Sequence, residues 1–444
     1  MYLIRADTYI LEDFQGRNIP KYAILSHTWT DEEISFSAMH TLNNSLHTRT
    51  KIKQKEGFYK IKKTCDQAMA DGINHVWVDT CCIDKGSSAH LSEAINSMWR
   101  YYREAEVCYA YLSDIDVFDA LRMGDVQYAQ RDVRRFWTNS INLISEKDLS
   151  KAKWFSRGWT LQELIAPKNV VFYIKGWNFV GNKASMKEKL SRITGIDEIT
   201  LANCNLESVS VARRMSWASK RVTTRVEDIA YCLLGIFDVN MPLLYGEGEK
   251  AFVRLQEEIM KDSEDQSLFA WRPPNAFEVW DLELLTPTDV EGGRGIFARH
   301  PSEFADARAV RPSSSRGEPY TLTNKGVRME IPILPLERSL FLAIFECHYE
   351  GDLSQQLSIV VQKLHGGSQN QFVRHDGAGL IKVSHDMVRR AKIATVYLVK
   401  KVPSSRDFTS VYRVFNTGSQ RQVDVLSYAD ATNDMTVEHM LERM

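Results

Sequence analysis

Four short apolar runs constrain this chain most: Tyr22-Ala-Ile-Leu-Ser26, His75-Val-Trp-Val-Asp79, Val107-Cys-Tyr-Ala-Tyr-Leu112 and Val170-Val-Phe-Tyr-Ile174. Runs this brief and this continuously apolar predict strands buried on both faces. Between the first two, Phe58, Ile61, Cys65, Ala68 and Met69 recur at helical spacing, and Gly72 closes the helix. Between the second and third, Leu91, Ile95, Met98, Trp99 and Tyr102 make another apolar face, with Ser87 and Ser88 as caps. Strand, helix, strand, helix, strand at these intervals suits right-handed crossovers, and so predicts a parallel sheet with helices on both faces. Ligands of such sheets bind beyond the carboxyl ends of the strands. The residues delivered there are Ser26, His27, Trp29, Asp79, Cys81, Asp84 and Asp114.

The fourth run follows Trp154-Phe-Ser-Arg-Gly-Trp-Thr-Leu-Gln-Glu-Leu-Ile-Ala-Pro167. Trp159 and Glu163 stand four residues apart, which on a helix puts indole and carboxylate on one face. Pro167 stops that helix, since its ring clashes with the preceding turn and it has no N–H to donate. A carboxylate beside an aromatic plane can bind and cleave a sugar. The plain structural alternative is a buried Glu163 tied to a neighbouring arginine, with Trp159 as core filler.

A chain of 444 residues exceeds one core. Residues 1–178 read as the α/β core and 179–270 as a helical extension. After Trp271-Arg-Pro-Pro274, residues 271–444 read as a β-rich domain of short alternating runs such as Val327–Ile331, Leu340–Phe345, Leu357–Val361 and Ala394–Val399. The polar segment 115–153 reads as an inserted helix or loop. In the extension, Val209–Lys220 and Val226–Phe237 read as single helices. Gly246 and Gly248, ahead of a helix carrying Phe252, Leu255 and Ile259, form either a phosphate cradle or a structural turn.

Lys and Arg total 56 against 57 Asp and Glu, a net charge of −1 that calls for neither nucleic acid nor an anionic membrane. Seven cysteines without repeating spacing make no disulfide framework and point to a reducing compartment. Early Arg5, Asp7, Glu12 and Asp13 argue against a signal peptide, and no apolar stretch approaches a membrane-spanning length. A cytoplasmic location is expected. Metal-ligand spacing is absent, so no metal is expected.

Together Ala23-Ile-Leu-Ser-His-Thr-Trp29, Trp77-Val-Asp-Thr-Cys-Cys-Ile-Asp84, Ser92-Glu-Ala-Ile-Asn-Ser-Met98 and Arg157-Gly-Trp-Thr-Leu-Gln-Glu163 resemble the fungal heterokaryon incompatibility (HET) domain. Arg213–Ala218, Glu227–Asp238 and Met241–Glu249 resemble its usual continuation. The resemblance implies a cell-death effector with a TIR-like, flavodoxin-like sheet. TIR enzymes that destroy NAD carry Trp-x-x-x-Glu on the helix after the third strand, and Trp159 to Glu163 matches it. The resemblance therefore implies hydrolysis of NAD at the nicotinamide–ribose bond, with NAD as substrate and no cofactor. Glu163 would be the catalytic residue, and Trp159, His27, Trp29, Ser26, Asp79, Cys81 and Asp84 would be substrate contacts. Self-association on activation and an unidentified activating protein are expected partners. The alternatives are a non-enzymatic TIR-like signalling module and a nucleosidase acting on another nucleotide.

Overall fold

The computed structural model describes residues 1–14, 18–116, 144–274, 276, 293–313, 319–336, 339–364 and 370–401, together with the backbone of 410–417 and 420–427. Most of the insert expected over 115–153 lies outside the described residues. The chain divides into two units, one of residues 1–274, 297–317 and 346–357, the other of 275–296, 318–345 and 358–444. Segments 297–317 and 346–357, grouped by sequence with the β-rich region, thus belong to the first unit. Strand pairing and capping bonds hold them there. Cys347–Tyr349 pairs antiparallel with Val310–Pro312, Ser210 Oγ donates to the Val310 carbonyl at 2.7 Å, and the Glu346 N–H donates to Gln266 Oε1 at 2.9 Å.

The first unit is built on a seven-stranded sheet of β1 (Tyr2–Arg5), β2 (Leu11–Asp13), β3 (Tyr22–His27), β4 (His75–Trp77), β5 (Val107–Leu112), β6 (Val170–Ile174) and β7 (Asn178–Asn182). Its order is β2-β1-β4-β3-β5-β6-β7. The four expected strands, β4, β3, β5 and β6, are its parallel centre. Every residue of β3 and β5 is buried, which is why their sequences show no alternation. Antiparallel pairs finish both edges.

The α/β core expected to end near residue 178 continues into β7. The chain reverses at Gly176 and Trp177, both left-handed at φ 79° and 63°. A tryptophan tolerates that backbone here because its ring stacks on Tyr173, with centroids 4.8 Å apart and planes 18° apart.

Helices connect the strands. After β3 come α1 (Phe36–Thr41), α2 (Leu46–Lys53) and α3 (Glu56–Ala70). The first of these falls in a stretch whose polarity reads as loop, and Ser35 starts it by capping the Ala38 N–H at 3.2 Å. After β4 the chain turns at once into α4 (Asp79–Cys82), so the run read as strand through Asp79 stops at Trp77. Next is α5 (Ser88–Glu104), capped by Ser87 as expected and burying Ile95, Met98 and Tyr102. Ahead of β6 stand α6 (Glu146–Leu149), α7 (Lys153–Ser156) and α8 (Thr160–Ile165), the last being the short helix that carries Glu163.

The extension contributes α9 (Lys187–Thr194), α10 (Glu198–Asn203), α11 (Val211–Ala218), α12 (Asp228–Tyr231), α13 (Leu234–Phe237) and α14 (Lys250–Asp262). Residues 226–237 form two short helices rather than one. Gly235 explains the second: a Cβ there would lie 2.1 Å from Trp99 Cβ, so only glycine lets α13 approach α5 this closely.

The second unit is a β structure in which strands Gly326–Pro335, Leu340–Phe345 and Gln355–Lys363, the last entering it at Ser358, contain three of the expected runs, and Lys392–Leu398 contains the fourth except its last residue, Val399. Leu340, Leu342, Ile344, Val360 and Val383 form a core cluster there. Among the described residues no helix is long and apolar enough to cross a membrane.

Candidate functional site

Glu163 sits on α8, in the connection between β5 and β6, and is only 7% exposed. Among the described residues no arginine forms a salt bridge with it, although the charge of Arg221 acts on it. Its Oε2 accepts a short hydrogen bond from Ser26 Oγ, at the carboxyl end of β3. Ser26 in turn accepts from the Trp154 indole N–H at 2.7 Å. Indole, hydroxyl and carboxyl thus form a buried chain that α7, β3 and α8 bring together. Tyr102 of α5 also hydrogen-bonds Glu163, while its hydroxyl donates to the Leu25 carbonyl at 3.1 Å. Burial pushes the Glu163 carboxyl up from its ordinary value to about 8, assisted by the negative charge of Asp79 and opposed by the hydrogen bonds and by the positive charge of Arg221. At neutral pH the carboxyl is therefore largely protonated.

The nearest buried arginine serves the helix instead. Arg221, 2% exposed, donates to the Arg157 carbonyl at 2.7 Å and to Thr160 Oγ1 at 2.9 Å, holding the start of α8. Burial lowers its own affinity for a proton, to about 10.

A second cluster adjoins the first through neighbouring positions of β3. His27 Nε2 lies 3.1 Å from Asp79 Oδ1, and the Trp29 indole N–H donates to Asp79 Oδ2 at 2.8 Å. Burial works to raise the Asp79 carboxyl, but the His27 hydrogen bond and charge outweigh it, and the carboxyl is held below its usual range. Fully buried Lys60 of α3 donates to Glu33 Oε1 at 2.5 Å and to the Thr28 carbonyl at 3.0 Å, with His27 Nδ1 3.4 Å away. Lys85 lies over the Trp29 ring, 3.7 Å from its centroid.

The expected contacts divide accordingly. Ser26 reaches Glu163, while His27, Trp29 and Asp79 form the neighbouring cluster. Asp84 sits in a turn where its Oδ1 accepts the Gly86 N–H at 2.9 Å. Cys81 is fully buried and burial pushes its thiol well up, so it presents no reactive sulfur to a ligand. Trp159 precedes the first turn of α8, and its side chain hydrogen-bonds Asp228 rather than joining Glu163. The tryptophan that does join Glu163 is Trp154. It stood in the same motif, but nothing in spacing could pair it with Ser26 from 128 residues away. Tyr102, Lys60 and Lys85 likewise gave no signal beyond helix and surface patterns.

The glycine loop is a structural turn. The Gly246 and Gly248 N–H groups both donate to Glu227 Oε1, at 2.8 and 3.0 Å, so the chain's own carboxylate fills the place a phosphate would take. Among the described residues no group of three or more His, Cys, Asp or Glu could hold a metal.

Cavities open among the described residues of the first unit. One, of about 680 Å³, is bordered by Tyr2, Phe36, Asp84, His90, Glu93 and Arg100. Another, of about 390 Å³, adjoins the second cluster through Trp29, Glu33, Thr80 and Lys85. Glu163 lines neither.

Residues 22–163, which span both clusters, match the model of the heterokaryon incompatibility protein family (HET). This chain carries a HET domain. Its HET domain begins at β3 and ends at Glu163, so the buried carboxyl is the last residue of the matched segment. The chain is also similar to the vegetative incompatibility protein HET-E-1 of Podospora anserina, with 44% identity over 254 residues, covering 56% of this chain. It spans only 17% of that relative's length. Residues 250–362, beyond the HET domain, match a domain of unknown function (DUF8212). No solved structure matches the chain.

Proposed function

We propose that this chain acts in fungal heterokaryon incompatibility as a cell-death effector, and that its HET domain is a TIR-like fold that cleaves the nicotinamide–ribose bond of NAD. The relative's name supports the role in incompatibility. Strand order supports the fold: the parallel strands, counted along the chain, lie in the order second, first, third, fourth, as in the doubly wound order 2-1-3-4-5 of flavodoxin-like sheets.

One observation carries the chemistry. Glu163 is a buried carboxyl that makes no salt bridge among the described residues, raised to about 8 despite the opposing charge of Arg221 and held by Ser26 at the carboxyl end of β3. Structural carboxylates are normally buried against a cation, and an unpaired carboxyl of raised pKa marks a site poised for reaction. Departure of nicotinamide leaves oxocarbenium-like charge on the ribose, which an ionised Glu163 stabilises in a water-poor pocket. The leaving group is already cationic and departs without a general acid.

At 7% exposure the resting carboxyl is out of reach of a dinucleotide. Activation therefore includes an opening of the Ser26–Glu163 contact, brought about by self-association or an activating protein. Purified protein concentrated until it self-associates and then incubated with NAD is expected to release nicotinamide, with kcat/KM rising as pH rises and Glu163 ionises. Loss of release in Glu163→Gln is the expected outcome. Release by that variant equal to the parent's rejects the catalytic role.

A non-enzymatic signalling role has one observation in its favour, the position of Glu163 outside both cavities. It predicts toxicity on expression that survives Glu163→Ala while cellular NAD stays constant. A nucleosidase acting on another nucleotide shows itself by base release from that substrate and none from NAD.

A further inference from the structure

The cavity beside Trp29 has features the reaction at Glu163 does not use. Trp29 is 52% exposed, yet its N–H is fixed on Asp79, so the ring is presented to solvent in one orientation. A large exposed indole held in place is a stacking platform whose ordering cost is already met. One face is covered by the Lys85 ammonium, 3.7 Å from the centroid. At an exposed site such a contact contributes only about 0.5–1 kcal/mol, so a planar ring can displace it.

The rest of the lining indicates what the ring is attached to. Thr80 borders the cavity, and its buried hydroxyl has no hydrogen-bond partner among the described residues. Buried polar groups rarely stay unpaired, and a ligand hydroxyl is a natural complement. Of the two carboxylates in the lining, Glu33 is neutralised by Lys60, and Asp84 is engaged by the Gly86 N–H at 2.9 Å, leaving Lys85 as the group that meets the anion. A displaced Lys85, exposed and on a flexible stem, is free to meet a phosphate. A cationic ligand, by contrast, would take the indole face and leave the ammonium repelled beside it. The volume of about 390 Å³ suits a mononucleotide.

We propose that this cavity is a subsite for a nucleoside 5′-phosphate, with the base stacked on Trp29, the phosphate on Lys85 and a ribose hydroxyl toward Thr80. The inference deepens the NAD reading and rests on it for the wider ligand, giving the adenylate half of the dinucleotide a place.

Titration calorimetry of the full chain with AMP, adenosine and ribose 5-phosphate tests it. AMP is expected to bind more tightly than either fragment. Trp29→Ala is expected to weaken AMP and adenosine at least about tenfold, as loss of a stacking platform does. Lys85→Met is expected to weaken AMP about fivefold, to tighten adenosine by about two- to fivefold because no ammonium must then leave the indole face, and to remove the salt dependence of AMP binding. Circular dichroism and thermal melting of each variant verify folding. AMP bound equally by parent and folded Trp29→Ala, or not bound by the parent at millimolar concentration, overturns the subsite. Nicotinamide release measured on the same samples separates the two readings: AMP binding without release supports the subsite while removing the reaction, and release without AMP binding removes the subsite alone.

Discussion

Replacing Glu163 by glutamine converts the burial of this carboxyl into a measurable dependence of stability on pH. Below about pH 4.5 the side chain is protonated in both folded and unfolded chains and contributes no pH dependence. Between about 4.5 and 8 the unfolded chain has released the proton while the folded protein still holds it. The unfolded state then binds fewer protons, so stability falls as pH rises, by up to ~1.4 kcal/mol per pH unit. Across the whole window the loss amounts to roughly 4–5 kcal/mol, and to about half of that once local relaxation is allowed. Glutamine keeps the shape and an oxygen to accept the Ser26 hydroxyl, but carries no titrating proton. Glu163→Gln is thus expected to match the parent within about 1 kcal/mol at pH 5 and to exceed it by about 2 kcal/mol or more at pH 8.5. Urea midpoints for the first unit's transition, followed by tryptophan fluorescence at both pH values, supply the comparison. An unchanged gap between variant and parent at the two pH values would show that Glu163 is ionised in the fold at neutral pH, and the reasoning about its raised pKa would fail.

Three further substitutions probe the surroundings. Trp154→Phe removes the N–H that Ser26 accepts inside the protein and is expected to cost about 1–3 kcal/mol in chemical denaturation. Adding Ser26→Ala should cost less than it does alone, because the two residues share one hydrogen-bond chain. Lys60→Met strands Glu33 without its cation and is expected to cost about 3 kcal/mol, with much of the loss restored in Lys60→Met/Glu33→Leu, as thermal melting would report. Gly235→Ala places a Cβ 2.1 Å from Trp99 Cβ and is expected to cost about 1–3 kcal/mol, whereas Trp99→Ala in the same chain relieves the clash.

Periodicity carried the central sheet well. Tyr22–Ser26, Val107–Leu112 and Val170–Ile174 are continuous apolar runs because both faces of each strand are covered, and that burial pattern is written directly into composition. Edge elements were harder to see. Strand β7 depends on a reversal at Gly176 and Trp177, where a tryptophan adopts a glycine-like backbone only because Tyr173 offers it a stacking partner. The two segments that return to the first unit, 297–317 and 346–357, are held by strand pairing and by bonds from Ser210 and Gln266, distant positions that leave no local mark.

At the site, the chain's own residues determined which chemical groups were available and on which elements: a carboxyl on a short helix stopped before Pro167, and a serine, a histidine and an aspartate at strand ends. The sheet order decided which of them meet. Glu163 finds Ser26 and Trp154, while Trp159, four residues away, turns to Asp228. Proton affinity was likewise settled in three dimensions. The same carboxyl on an exposed helix would titrate near its ordinary value; the removal of water around it, with a smaller push from the Asp79 charge, raises it, because desolvation depends on everything that surrounds a charge.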